Sequence, residues 1–212
     1  MYKYDDKYKF DETWFDIAIN AWVDLFRWYN IYHGNDTIKS VLEIGCYQGR
    51  ATIFLCNNVI QTGTKYDVID TFGGSLEEAG MIHAKNRMKD DFNYIYDTFL
   101  HNISFHTDIE FNIYKNYSNI VLPELLTLDK KYDLIYIDAS HKSDDTFVDA
   151  YYAHQMLNIG GILIFDDYGW SDPNNLHIVN SPKLGIDMFL TMYADMYKFV
   201  LRGYQIGIQR IK

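Results

Sequence analysis

The chain has 212 residues, 48% hydrophobic and 23% charged, which suits a globular protein long enough to bury a core without staples. Its formal charge of −10 argues against a nucleic-acid partner, because phosphate binding is driven by lysine and arginine, and Arg27, Lys85, Arg87 and Lys89 make no convincing basic patch. No apolar stretch is long enough to span a bilayer, the start MYKYDDKYKF is not a signal peptide, and Cys46 and Cys56 read as reduced thiols of a cytoplasmic protein.

Residues 1–10 are charged and tyrosine-rich and read as a loosely held arm. Residues 12–30 (ETWFDIAINAWVDLFRWYN) read as an amphipathic helix with Phe15, Ile19, Trp22, Leu25, Phe26 and Tyr29 on one face. That face predicts packing on a sheet or against another subunit, so a homo-oligomer through this aromatic helix is one expectation and a cofactor lid is another. His33-Gly34-Asn35-Asp36 breaks the helix. Next, VLEIGCYQGR over residues 41–50 reads as a strand entering a glycine turn, followed by a helix over 51–59. Gly45 and Gly49 let the backbone approach a ligand closely at a helix N-terminus. A short strand over 66–70 ends in Asp70. An acid about 20 residues past a glycine turn is where βαβ nucleotide sites bond ribose hydroxyls.

Residues 71–75 (TFGGS) leave that strand as a loop on the same rim, and 81–100 read as largely helical, with Asp90 and Asp91 on a solvated face. Residues 109–114 alternate like a strand, closed by Asn116, Tyr117 and Ser118, and 123–128 read as a short helix. The continuous apolar run 132–137 is a buried strand, and Phe147, Val148, Tyr151, Tyr152, His154 and Leu157 then recur at helical spacing. Asn158 and Gly160-Gly161 predict the end of that helix, and 162–165 form a further strand. Strands this apolar, joined by a helical crossover, make a parallel pair covered on both faces. Ligands of such sheets collect beyond the carboxyl ends of the strands. Asp138 closes the first strand and Asp166-Asp167 the second, so three carboxylates and His141 share one rim. After Trp170 come a polar loop over 171–182, a helix over 184–193, and a hairpin of 199–201 and 205–211 around Gly203. No repeat or linker divides the chain. It reads as a single three-layer α/β domain, residues 1–39 forming an N-terminal helical extension and 40–212 a Rossmann-like core.

The turn VLEIGCYQG resembles the first motif of class I S-adenosylmethionine-dependent methyltransferases, an acid-x-Gly-x-x-x-Gly pattern. It is especially similar to catechol O-methyltransferase-like enzymes, which share the tyrosine between the glycines. The stretch from IDASH to IFDDYGW resembles the group that includes macrocin and related macrolide-sugar O-methyltransferases. The resemblance covers residues 41–170 and the terminal hairpin, and leaves the N-terminal extension uncovered. It implies a mostly parallel seven-stranded sheet with an antiparallel C-terminal hairpin. It also implies that Glu43, Gly45, Tyr47 and Gly49 line the methionine end of S-adenosylmethionine, that Asp138 borders the cofactor, that Asp70 takes the ribose, and that Ser118 lies near the adenine. Asp138, Asp166 and Asp167 match positions that hold Mg2+ or another hard divalent cation. His141, three residues after the first of these acids, stands where the macrolide-sugar type carries its histidine base and the catechol type a lysine. Ala139 departs from the family, where many relatives have glycine.

The implied activity is metal-dependent O-methylation of a hydroxyl on a small molecule: a sugar, a polyketide or a phenolic group. A nicotinamide-dependent reductase shares the glycine turn and the acidic second strand, but Gly45-x-x-x-Gly49 lacks the middle glycine of G-x-G-x-x-G. A methyltransferase-like subunit that binds partners and has lost catalysis is the other alternative. The full acid set and His141 argue against it.

Overall fold

Residues 3–34, 37–74, 88, 91–171 and 177–212 are described by the computed structural model. Its strands are β1 (Ser40–Ile44), β2 (Lys65–Asp70), β3 (Glu110–Lys115), β4 (Tyr132–Ile137), β5 (Leu157–Phe165), β6 (Tyr197–Arg202) and β7 (Ile206–Arg210). They form one seven-stranded sheet in the order β3-β2-β1-β4-β5-β7-β6. β1 to β5 pair in parallel, whereas β7 lies antiparallel between β5 and β6. The mostly parallel sheet with an antiparallel terminal hairpin is therefore what this sequence builds.

Alternation along each central strand sends side chains to both faces, and both faces are covered. On one side α1 (Ile19–His33), α2 (Arg50–Asn58) and α3 (Tyr94–Ile103) bury Trp22, Phe54 and Phe99 with Val41, Val68, Tyr136 and Ile164. On the other, α4 (Ser118–Thr127), α5 (Ser143–Met156) and α6 (Pro182–Met192) bury Leu122, Ala150 and Ile186 with Leu42, Ile44, Ile135 and Leu163. Among the described residues no helix is long and apolar enough to cross a membrane. The strand order reverses direction between β1 and β4, and the crevice beyond their carboxyl ends is the switch point where ligands of such sheets bind.

The N-terminal extension differs from the reading of residues 1–10 as a loose arm. Its described part is docked: Tyr8 is buried, Lys9 pairs with Asn102, and the Tyr4 hydroxyl donates to the Arg50 carbonyl at 3.0 Å. A 3-10 turn (Trp14–Ile17) precedes α1, so the single helix expected over 12–30 is two elements. Its aromatic face is spent inside the chain, where the Trp22 ring meets Tyr136 edge-on at 4.9 Å between centroids. Around β5, Gly160 does not end a helix. α5 stops at Met156 and β5 begins at once, with Gly160 at φ +87° inside a register shift that Asn158 braces by donating to Asp133 at 2.8 Å. α4 starts five residues before the helix expected over 123–128, with Pro123 inside it. Of the helix expected over 81–100, only Met88 and the segment from Asp91 onward lie within the described residues; α3 occupies its end.

α6 reaches its place only because residue 185 has no side chain. A Cβ on Gly185 would lie 2.1 Å from the Ser143 carbonyl oxygen at the start of α5, far inside contact distance. Gly185→Ala should therefore force the two helices apart and cost about 1–3 kcal/mol, the usual range for overpacking. Urea unfolding monitored by circular dichroism would show it as a lower midpoint, and an unchanged midpoint would contradict this packing.

Candidate functional site

The turn after β1 is built on left-handed backbone: Gly45, Tyr47 and Gly49 have φ of +83°, +51° and +82°. Gly45 admits nothing larger, since a Cβ there would fall 2.0 Å from the Asp138 carbonyl oxygen. The turn after β1 and the turn after β4 are thus in direct backbone contact. Gly49 begins α2 against the Phe99 ring, which a Cβ would approach to 2.9 Å.

Asp70 holds this turn from the end of β2. Its Oδ2 accepts from the N–H of Cys46 and Tyr47 at 2.7 and 2.8 Å, and its Oδ1 accepts from Phe72 N–H at 2.6 Å. Glu43 lies beneath the turn, fully buried, and its Oε2 accepts from Thr52 Oγ1 and the Tyr66 hydroxyl at 2.7 Å each. Its Oε1 is buried with no hydrogen-bond partner. Burial pushes the Glu43 carboxyl up to about 7, against the pull of the two donors.

Beyond β4 and β5 the three acids do converge, but each is committed to donors of the protein. The Tyr136 hydroxyl lies between two carboxylates, 3.0 Å from Asp138 Oδ2 and closer still to Asp166 Oδ2. Asp166 Oδ2 also accepts from Gln205 Nε2 at 2.8 Å, and its Oδ1 from the Asp167 N–H at 2.7 Å. Asp167, at φ +54°, accepts from the Tyr204 hydroxyl at 2.6 Å through Oδ1 and pairs with His141 Nε2 at 2.9 Å through Oδ2. One phenolic proton cannot be donated to two carboxylates at once, so the Tyr136 hydroxyl serves one of them at a time. Burial, then the charges of Asp166 and Asp167, holds the Asp138 carboxyl well above the ordinary range, and burial with Asp167 pushes Asp166 up to about 6.

A divalent cation needs carboxylate oxygens turned toward a common point. Among the described residues no three His, Cys, Asp or Glu side chains are gathered to hold one. Protein donors engage both oxygens of Asp166 and of Asp167 and Oδ2 of Asp138, so an ion held there would share these oxygens with them. His141 is fixed by Asp167 on one side and by the Trp170 ring, tilted at 36° with centroids 4.2 Å apart, on another.

Ser118, expected near an adenine, opens α4 and hydrogen-bonds to Asp149, a buried acid of α5 that burial pushes up to about 7. Sequence reasoning missed Tyr136, Gln205, Tyr204 and Trp170. Tyr136 carried a usable signal: two residues before Asp138 on a strand, it must share that residue's face. Tyr204 and Gln205 lie in the closing hairpin, and nothing local ties them to β5.

The buried Glu43 makes stability depend on pH. Its folded value, about 7, exceeds the ordinary 4.5, so the folded chain prefers the neutral acid. The stability this preference confers is complete below pH 4.5 and is lost as pH rises through 7. Glu43→Gln should lose less stability than the unsubstituted chain across that interval, by on the order of 1–3 kcal/mol. Urea midpoints measured in a pH series would show parallel curves for the two proteins if Glu43 carried no such linkage.

No curated protein matches the sequence. Solved structures share the fold at low identity. An O-methyltransferase from Bacillus cereus, in complex with SAH, is 16% identical with a TM-score of 0.53, covering 90% of this chain and 81% of its own. TomG from Streptomyces achromogenes, an O-methyltransferase involved in tomaymycin synthesis and solved with SAM, is 14% identical with a TM-score of 0.57, covering 91% and 80%. CalS11, a TDP-rhamnose 3'-O-methyltransferase of calicheamicin biosynthesis, is 15% identical with a TM-score of 0.55, covering 92% and 79%. The profile of a family described as a methyltransferase domain matches residues 42–168, which takes in the glycine turn, Asp70 and the whole acidic rim. With more than half of its length matched, this chain belongs to that methyltransferase family.

Proposed function

We propose that the protein is an S-adenosylmethionine-dependent O-methyltransferase acting on a hydroxyl of a small molecule, of sugar, polyketide or phenolic class. The observation that carries this reading is the contact between the glycine turn and the Asp138 turn at the β1–β4 switch point. In this reading the glycine turn is the cofactor cradle, and His141 follows three residues after Asp138 on the adjoining turn. The structural neighbours, O-methyltransferases with SAH or SAM, support the same reading.

The residues of the cradle fit the cofactor. Left-handed Gly45, Tyr47 and Gly49 bring main chain rather than side chain to the crevice, and Glu43 Oε1 is a buried acceptor beneath it. Asp70 spends three acceptor positions on main-chain N–H groups. A carboxylate has about four, so one remains for a ribose hydroxyl. When bound, the cofactor supplies a methyl group on a sulfonium centre, an electrophile that a neutral alcohol attacks poorly. His141 meets that need by taking the hydroxyl proton. The tautomer that donates Nε2–H to Asp167 carries its basic lone pair on Nδ1, and Asp167 stabilises the imidazolium that forms. Trp170 keeps the ring plane fixed, which holds base and acceptor in register. No step is assigned to a divalent ion. Activity abolished by a chelator and restored by magnesium would assign metal binding to Asp138, Asp166 and Asp167. The free thiols of Cys46 and Cys56 support a reducing, cytoplasmic setting.

Calorimetry on the full chain should show S-adenosylhomocysteine binding and NADH not binding; the reverse result would favour a nicotinamide reductase. Asp70→Ala should weaken S-adenosylhomocysteine binding by roughly 1.5–3 kcal/mol, the worth of a hydrogen bond to a charged group. Equal affinity in that variant would remove Asp70 from the cofactor site.

Turnover should be sought with labelled S-adenosylmethionine against panels of sugars, polyketides and phenols. With an acceptor found, His141→Gln should lose on the order of 10²–10⁴ in turnover. Its affinity for S-adenosylhomocysteine should not change. Near-normal turnover would mean that His141 only shapes the pocket.

A further inference from the structure

Gln48 sits inside the glycine turn, yet its side chain is almost wholly buried and engaged with the N-terminal extension. Its Oε1 accepts from the Asp11 N–H at 2.7 Å, and its Nε2 donates to Asp11 Oδ2 at 2.9 Å. A second amide repeats the device two residues earlier. Asn102 of α3, fully buried, accepts from the Lys9 N–H and donates to the Lys9 carbonyl, each at 2.8 Å. The same Asn102 Nδ2 reaches the Gln48 carbonyl, also at 2.8 Å. The main chain at Lys9 and Asp11 is thus held by side-chain amides. The flanking positions of the turn are gripped as well. The Trp14 ring lies 5.5 Å from that of Tyr47, and Asp16 takes the Arg50 guanidinium in a two-bond pair at 2.7 and 2.8 Å.

We infer that residues 9–16 form a strap that sets the cofactor turn, and that Gln48 and Asn102 are positioning residues for cofactor binding. The inference rests on the cofactor reading above and extends it to a segment that the family match, confined to residues 42–168, leaves out. Tyr47 holds left-handed backbone, which a non-glycine residue keeps only where its surroundings over-determine it. The strap supplies that determination on the side of the turn away from β4. Without it the turn samples other conformations, and cofactor binding must bear the cost of reordering it.

The pairing of Gln48 with Asp11 can be inverted. Gln48→Glu sets a carboxylate against the Asp11 carboxylate, and Asp11→Asn must point its amide donor either at the Gln48 donor or at the Tyr94 hydroxyl, which donates to that carboxylate. The double variant restores one donor facing one acceptor, and its Asn oxygen still accepts from the Tyr94 hydroxyl, which donates to Asp11 Oδ1 at 3.0 Å. Calorimetry with S-adenosylhomocysteine, well below each protein's melting temperature, should show each single variant weakened about tenfold, within the usual span of coupling between linked groups. The double variant should recover most of that loss. A strap that merely stabilises the fold would lower melting temperatures and leave these affinities alone, which would overturn the inference. So would a double variant as weak as the singles. If Gln48→Glu fails to fold, Asp11→Asn and its rescue by the double variant decide the matter. Absence of binding by the unsubstituted chain would instead sink the cofactor reading itself.

Discussion

The site depends on one close approach, between the α-carbon of Gly45 and the carbonyl of Asp138. Because no Cβ intervenes, the turns after β1 and β4 touch through main chain, and the two halves of the crevice share one wall. Everything chemically useful is placed relative to that wall. Asp70 reaches across from β2 to hold Cys46 and Tyr47, and His141 stands three residues beyond Asp138. A side chain at position 45 would separate the cradle from the base by the thickness of a methyl group. Reactions that need aligned partners lose heavily for displacements of about 1 Å.

The wall is backed by a continuous polar chain that begins in the N-terminal extension. Trp22 donates to Gln205 at 2.6 Å, Gln205 donates to Asp166, and Tyr136 joins Asp166 to Asp138. The hydrophobic face of α1 therefore does two jobs at once: it covers the sheet, and the Trp22 indole N–H orients the hairpin glutamine that steadies β5. Both contributions of the extension, this chain and the strap on the glycine turn, act on the rim from outside the segment that carries the motifs.

That division explains what could be read in the sequence. β1, β2 and β4 and their acidic ends were legible because apolar runs, glycines and acids are local signals, and burial on both faces of a parallel sheet leaves no alternation to misjudge. The start of β5 was not, because a Gly-Gly pair after a helix looks like a stop and only the pairing with Tyr132 shows the strand continuing through it. The docked arm was invisible for a plainer reason. Lys9 finds its partner 93 residues away in Asn102, and Asp11 finds Gln48 at a separation of 37, through side-chain amides that carry no periodicity. Likewise the sequence placed Asp138, Asp166 and Asp167 on one rim correctly, but only the fold shows what faces them.

What faces them decides the chemistry of the rim. Three half-buried carboxylates repel one another, and the repulsion must be met by a cation, by protons or by hydrogen-bond donors. Here donors and protons meet it. Tyr136 and Gln205 satisfy Asp166, Tyr204 satisfies Asp167 from the hairpin, and burial shifts Asp138 and Asp166 toward their protonated forms. The remaining oxygen of Asp167 is turned to His141, so that carboxylate faces the imidazole of the rim. An ion entering this cluster would compete with the Tyr136 hydroxyl for Asp138 and Asp166 and with His141 for Asp167. The same three acids cannot fully serve an ion and the histidine at once, so the partner of Asp167 distinguishes a metal-assisted site from one in which an oriented histidine bears the proton transfer.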